Sequence, residues 1–343
     1  MKVLVTGGGG FLGFHVVKML RARGDDVRTI ARGDYPKLAS IGAEHVRGDL
    51  ADMASALVAV DGVDAVVHVA AKAGVWGKAS AYEASNVQAT QNVIDACVRR
   101  GVGRLVVTSS PSVTFNGGDA KHADESLPYP KRHLYHYGRT KAEAERRVLA
   151  ANGTAHEDGS GVLHTCALRP HLVYGAGDPH IIPRLVARAK AGRLMWIGDC
   201  KNLIDVTYVD NAAHAHVLAL DALALSSLKP AGKAYFISQG APVIPEQWMN
   251  GILQAVGIAR ANKRISLRLA YGVGMAMEIL YTLLPLRGEP LLTRFIAAQL
   301  GTSHYYDLTA ARRDLGYQPI VDCATAMQRT IAWLKDELAS GRL

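Results

Sequence analysis

The chain has 343 residues, 49% hydrophobic and 20% charged, which excludes a stapled mini-protein and a disordered segment, because this much apolar surface can offset the entropy of ordering. Subtracting 30 acidic from 39 basic residues leaves +9, a field that favours anionic ligands; the scattered Lys and Arg and 6% aromatic content speak against a base-stacking platform, so no nucleic-acid partner is expected. Cys97, Cys166, Cys200 and Cys323 lie far apart without a CxxC pair, which speaks against a disulfide framework and a cysteine zinc site and fits a reducing, cytoplasmic setting.

In chain order, MKVLVTGG opens with an apolar run too short for a signal-peptide core. Short β-branched runs then alternate with helical patterns: VLV (3–5), a helix over 11–23, VRTI (27–30), AVVHV (65–69), a helix over 81–100, RLVVTS (104–109), a helix over 138–151 and HTCALR (164–169). Parallel neighbours need crossover connections, so the pattern predicts an α/β fold, a Rossmann-type doubly wound parallel sheet with helices on both faces. After residue 175, Gly175, Gly177, Pro179, Pro183, Gly192 and Gly198 punctuate shorter elements, as expected of a smaller C-terminal substrate-binding cap. A helix over 212–225, a strand over 234–238, a helix after APVIPEQ, a loop over 307–319 and a closing helix over 323–339 complete the chain. The expected division is an NAD(P)-binding domain over 1–174 with returns from about 203–240, and cap segments over 175–202 and 241–343.

The stretch 270–286 is apolar apart from Glu278, with Arg264, Arg268 and Arg287 flanking it. It is short for a membrane span and carries a mid-span carboxylate, so it predicts a buried cap helix beside an apolar cavity; contact with a membrane surface or a partner protein is the alternative.

Chemistry enters at TGGGGFLG, between the first strand and the first helix. Gly7 permits the tight turn, Gly10 lets the backbone approach a pyrophosphate and Gly13 permits close packing of helix on sheet. The backbone of Gly10, Phe11, Leu12 and Gly13 then offers a helix N-terminus to the phosphates. At the end of the second strand, where an NAD site carries an acid, stand Ala31 and Arg32. Arg32 can pair with a 2′-phosphate, which favours NADP(H) over NAD(H); Arg28 is an alternative cation, and Asp34 could take the hydroxyl role instead. In GDL, Asp49 beside Leu50 can meet the adenine amine, and Ala70 and Ala71 are small enough to run beneath the dinucleotide.

Tyr137 and Lys141 are four residues apart on one helix face. A phenol is a poor proton shuttle near neutrality unless cationic neighbours stabilise phenolate, so the pair predicts a tyrosine acid with its pKa lowered by Lys141, while Ser110 holds the same carbonyl oxygen. Tyr135 is the decoy, since Arg139 stands where the lysine is required, and Ser109 is the decoy serine. His171, His180, His214 and His216 lack convincing ligand spacing, so no metal is expected. Lys72, Arg184 and Arg294 are cations that could meet a substrate carboxylate, each more often a surface residue.

TGGGGFLG, GDL, NVQATQNVIDAC, TSSPSV, YGRTK, LRPHLVYGAGD, TYVDNAAHAHVLAL and LGYQP together resemble the extended short-chain dehydrogenases/reductases, in the branch of 3-beta-hydroxysteroid and sterol 4-carboxylate dehydrogenases. The resemblance implies a triad of Ser110, Tyr137 and Lys141, Asn86 as a supporting member, and Pro170 beside the nicotinamide. RGDYPKL, HVAAKAGVWGK, GDCKNLIDVTYVDNAA, GKAYFISQG and GEPLLTRF look like the bacterial reductases of 2-alkyl-3-oxoalkanoic acids in long-chain olefin biosynthesis. That likeness implies NADPH-dependent reduction of a hydrophobic beta-keto acid, a homodimer and a multi-enzyme assembly. A 3-beta-hydroxysteroid dehydrogenase using NAD is the alternative; a nucleotide-sugar epimerase fits less well, since Leu203 and Ile204 precede Asp205 where an arginine is typical. A silent dinucleotide-binding scaffold is the reading outside enzymes.

Overall fold

In β1 (Lys2–Thr6), Val3 and Val5 are buried in one apolar cluster and Leu4 in another, the period of two that puts successive side chains on opposite faces of a sheet. Both faces are therefore covered, which explains why the strands read as continuous apolar runs. A computed structural model describes residues 1–284, 286 and 288–343. The remaining strands of the main sheet are β2 (Asp26–Ala31), β3 (Glu44–Arg47), β4 (Ala65–His68), β5 (Arg104–Thr108), β6 (Val162–Pro170) and β7 (Lys233–Ile237). They run parallel in the order β7-β6-β5-β4-β1-β2-β3, with Thr154–Ala155 pairing antiparallel to β6. The order reverses between β1 and β4, which opens a crevice at their C-terminal ends where ligands of such sheets bind. The chain has the expected Rossmann-type architecture.

Helices α1 (Phe11–Ala22), α2 (Met53–Val60), α3 (Ala89–Arg99) and α4 (His136–Ala150) fill the crossovers. Val16, Val17 and Leu20 of α1 join Val3 and Val5, whereas Ala56 and Val60 of α2, Val93 of α3 and Val148 of α4 join Leu4. The predicted helix over 81–100 is interrupted: Ala79–Tyr82 and α3 flank a π-helical turn, Glu83–Gln88, of the kind often found at functional sites.

The C-terminal part contains α5 (Ile181–Lys190), α6 (Val209–Ala222), α7 (Pro245–Ala255), α8 (Leu267–Leu283), α9 (Arg294–Gly301), α10 (Thr309–Leu315) and α11 (Cys323–Ala339). Helix α6 packs its alanines, Ala213, Ala215 and Ala219, on the α1 side of the sheet. Ile182 and Leu185 of α5, Trp248 and Ile252 of α7 and Leu334 of α11 form a separate core. The segment 307–319 is not wholly a loop: Asp307 accepts from the Thr309 backbone N–H at 2.8 Å and starts α10, which Gly316 ends in a left-handed conformation at φ 67°.

The 270–286 stretch departs from its predicted burial. Of α8 and its continuation, only Ala270, Gly274 and Glu278 are buried, while Met275, Ile279, Leu280, Leu283, Leu284 and Leu286 are exposed. Hydrophobicity marks the helix but does not say which face is covered. Here the small residues take the inner side, because a side chain at Gly274 would strike the Thr293–Arg294 backbone, and Glu278 turns inward to pair with Arg294 at 2.6 Å. Pro285 of that stretch and its basic flank Arg287 lie outside the described residues. Among the described residues no helix is long and apolar enough to cross a membrane.

Candidate active site

The glycine turn is shaped by close approaches that only small residues allow. Gly7 has φ 66°, and a Cβ there would lie 2.9 Å from the Ala70 Cα. A side chain at Gly13 would collide with the Gly7 carbonyl, so the first turn of α1 lies directly against the end of β1. Gly10 caps α1 without a side-chain hydrogen bond, and no acidic residue stands in the first turn. The leading amides of Phe11, Leu12 and Gly13 therefore stay open to an anion, while the Phe11 and Leu12 side chains pack on the core of α5 and α7. These features fit a dinucleotide pyrophosphate. Tyr35, which sequence reasoning missed, lies over Gly9 so closely that any side chain there would enter its ring.

At the end of β2, Arg32 is exposed and pairs with Asp49 at 4.0 Å, so the two candidate adenosine contacts share one rim of the crevice. Arg28 is not available as the alternative cation: its guanidinium donates to Glu44 and to the carbonyls of Val58, Ala59 and Asp61 at the end of α2. Asp34 is exposed beyond them, and Leu50 is buried, its carbonyl accepting from Asn92 at 2.8 Å.

Behind Ala70 runs a continuous line of hydrogen bonds. The Ala70 N–H donates to Thr6 Oγ1 (3.1 Å), Thr6 bonds His68 Nδ1 (2.8 Å), His68 Nε2 bonds Thr90 Oγ1 (3.1 Å) and Thr90 donates to the Asn86 carbonyl (2.6 Å). Burial drops His68 to about 3, so the ring is neutral and can accept at one nitrogen while donating from the other. Asn86, presented by the π-helical turn, accepts from the Lys72 N–H at 2.7 Å and donates to the Lys72 carbonyl at 3.1 Å and to Thr140 at 3.0 Å. It thus ties the 70–72 segment, including exposed Ala71, to α4, one layer behind the cavity.

Helix α4 brings Tyr137 and Lys141 to the end of β5. Lys141 Nζ donates to the Thr108 carbonyl at 2.6 Å, two residues before Ser110. Ser110 lies beside Tyr137, and both line a cavity of about 360 Å³, together with Val75, Phe115, Leu172, Phe295 and other residues. Ser109 is buried away from that wall, with its hydroxyl unpaired. Tyr135 reaches the cavity but lies stacked on Phe295, centroids 3.7 Å apart. Pro170 is buried at the end of β6.

The expected direction of the tyrosine shift is corrected. Burial pushes the Tyr137 phenol up, Ser110 offsets this in part, and the Lys141 charge is not among the groups that hold it down. Lys141 instead drops to about 8, because burial penalises its ammonium more than Glu145 supports it. The chain's own groups thus keep Tyr137 protonated, the form that donates to a carbonyl, and of the pair Lys141 is the one brought toward neutrality. The kcat/KM for the reduced dinucleotide should therefore fall as pH rises through about 8, and Lys141→Arg should move that limb upward; a limb unmoved by the substitution would assign it elsewhere.

The sequence-predicted histidines are dispersed. His216 bonds Thr108 and the Ala212 carbonyl, both at 2.7 Å, while His171 and His180 line the cavity. Among the described residues no group of three His, Cys, Asp or Glu side chains could hold a metal. Of the three cations weighed for a substrate carboxylate, Arg294 pairs with Glu278, Arg184 pairs with Glu289 at 3.1 Å, and Lys72 lies over the Tyr82 ring.

Residues 4–269 match the model of the 3-beta hydroxysteroid dehydrogenase/isomerase family. The chain belongs to that family. A 2-alkyl-3-oxoalkanoate reductase of Stenotrophomonas maltophilia is 49% identical over 96% of this chain and 98% of its own. A protein of the same name from Shewanella oneidensis is 44% identical over 96% of this chain and 85% of its own. Among solved structures, MoeE5 in complex with UDP-glucose and NAD is 28% identical, with a TM-score of 0.74 over 98% of this chain and 100% of that one. As a member of the 3-beta hydroxysteroid dehydrogenase/isomerase family, the chain is an NAD(P)-dependent oxidoreductase of the extended short-chain type.

Proposed function

We propose that this protein reduces the 3-oxo group of a long-chain 2-alkyl-3-oxoalkanoic acid to the 2-alkyl-3-hydroxy acid with NADPH, as a step toward long-chain olefins. The observation that carries the reading is Tyr137, held protonated beside Ser110 in the wall of a largely apolar cavity. The relatives named 2-alkyl-3-oxoalkanoate reductase support the substrate class, and Arg32 supports the 2′-phosphate. Gly7, Gly10, Phe11, Leu12 and Gly13 would hold the pyrophosphate, Arg32, Asp49 and Leu50 the adenosine end, and Ala70, Ala71 and Pro170 the floor and nicotinamide side. When bound, the reduced dinucleotide supplies the hydride for the 3-oxo carbon. Ser110 donates to the carbonyl oxygen, Tyr137 passes its hydroxyl proton to that oxygen as negative charge develops, and the Lys141 ammonium compensates the resulting phenolate. Asn86 acts through the backbone of Lys72 by keeping α4 and the 70–72 segment in register.

In this reading, 1–174 with the return through β7 binds the dinucleotide, and 175–202 and 241–343 form the substrate cap. The exposed α8 leucines suit a partner enzyme or a peripheral membrane contact, and Trp76 packing on Tyr281, centroids 6.1 Å apart, ties that helix to a loop that also lines the cavity. A homodimer acting in the cytoplasm within a larger assembly is consistent with this arrangement.

The test is oxidation of a stable racemic 2-alkyl-3-hydroxyalkanoic acid by the purified protein, with NADP⁺ and NAD⁺ in parallel and a 3-beta-hydroxysteroid beside it. Faster turnover of the acid with NADP⁺ is expected; no turnover of the acid with either dinucleotide, or preference for the steroid, would overturn the reading. Arg32→Ala should raise the KM for NADPH about tenfold, the scale of one charge-assisted contact, and leave that for NADH unchanged. Equal shifts for both would remove Arg32 from the 2′-phosphate.

A further inference from the structure

The cavity wall holds several polar groups. Ser110 lies beside Tyr137, Arg184 pairs with Glu289, and Gln299 lies 3.5 Å from His304. Among the described residues, two buried wall atoms have no partner, Ser112 Oγ and His171 Nε2. Ser112 lies beside the Tyr135 hydroxyl, which leaves His171 Nε2 as the buried wall atom, among the described residues, that no polar group of the protein serves.

His171 is only 6% exposed, and its position is set by the backbone: its N–H donates to the Ile237 carbonyl at 3.1 Å and its carbonyl accepts from Thr207 at 2.6 Å. The next residue, Leu172, has φ 43°, a left-handed conformation that costs a non-glycine residue energy and is concentrated where a turn serves a site. β5 and β6 are parallel neighbours in the register Thr108↔Leu168, and the Ser109 N–H donates to the Leu168 carbonyl at 2.5 Å. Ser110 and His171 therefore leave adjacent strand ends, at the edge of the sheet where ligands bind. His304 and Tyr306 meet the imidazole edge-on, at centroid distances of 6.0 and 5.5 Å, which fixes its plane without satisfying Nε2. Burial keeps the ring neutral, with one N–H to give.

We infer that His171 is the specificity residue for the substrate acid: with the 3-oxo oxygen on Ser110 and Tyr137, its ring N–H donates to the carboxylate that lies two bonds along the chain. The inference rests on the proposed function and extends it by naming the group that separates a beta-keto acid from a simple ketone. Leaving a buried donor unpaired is costly, so a ligand that lacks the carboxylate should bind less well.

The experiment compares kcat/KM for a 2-alkyl-3-hydroxyalkanoic acid and for the matching secondary alcohol without the carboxyl group, in the wild type, His171→Phe, His171→Met and His171→Gln. Phe and Met fill the space without a donor, so either carries the result if the other does not fold, and Gln restores an N–H. The acid-to-alcohol ratio is expected to fall about tenfold in the Phe and Met variants and to recover in part with Gln. A ratio unchanged in the Phe and Met variants would overturn the inference and leave the reductase reading standing. Failure of the wild type to oxidise either compound with either dinucleotide would instead remove the reductase reading, and this inference with it.

Discussion

Tyr137→Phe is expected to lower kcat by about 10²- to 10⁴-fold, the range that a positioned proton donor contributes. The ring remains in the cavity wall, and the dinucleotide crevice at Gly7, Gly10 and Gly13 is untouched, so NADPH affinity measured by fluorescence should stay near the wild-type value. The loss should be at its full size from pH 6 to pH 8, because burial keeps the phenol protonated throughout that window. Stopped-flow measurement of the hydride step separates this loss from slow product release. A variant that kept most of its single-turnover rate would assign the proton to another donor.

Glu145→Gln should cost about 3–5 kcal/mol of stability in urea unfolding, the penalty for stranding one member of a buried ion pair. Glu145 and Arg169 are both buried and meet through two bonds of 2.6 and 3.0 Å, Tyr129 donates to the same carboxylate at 2.6 Å, and Arg169 lies over the Phe236 ring. The amide leaves the guanidinium charged in an apolar setting. Glu145 is also one helical turn from Lys141 and supports its ammonium, so the variant should move the alkaline limb of kcat/KM to lower pH. A stability change within about 0.5 kcal/mol, the ordinary surface range, would contradict this account of the pair.

The sheet was legible because strands covered on both faces leave near-continuous Val, Leu and Ile runs, and the crossovers leave helical spacing between them. The turn at Gly7 and Gly13 was legible for a related reason, since a position without room for a Cβ can be filled by glycine alone. What stayed hidden depends on neighbours distant in the chain. Arg28 reads as an alternative cation for a 2′-phosphate, yet the end of α2 captures it. The 270–286 stretch reads as buried, yet its small residues face inward and its leucines outward. Asn86 reads as a family signature, but its work on the Lys72 backbone appears only once the π-helical turn is folded. The spacing of Tyr137 and Lys141 placed them on one face of α4, while the direction of the tyrosine shift depends on burial, which spacing does not report.

The most direct measurement follows the isotope. With NADPH deuterated at the transferable position of the nicotinamide, the purified protein should place deuterium on C3 of the 2-alkyl-3-hydroxy acid, and Tyr137→Phe should do so at least a hundredfold more slowly. Deuterium that stays on the dinucleotide, or arrives at C3 at the same rate in both proteins, would contradict carbonyl reduction by this tyrosine.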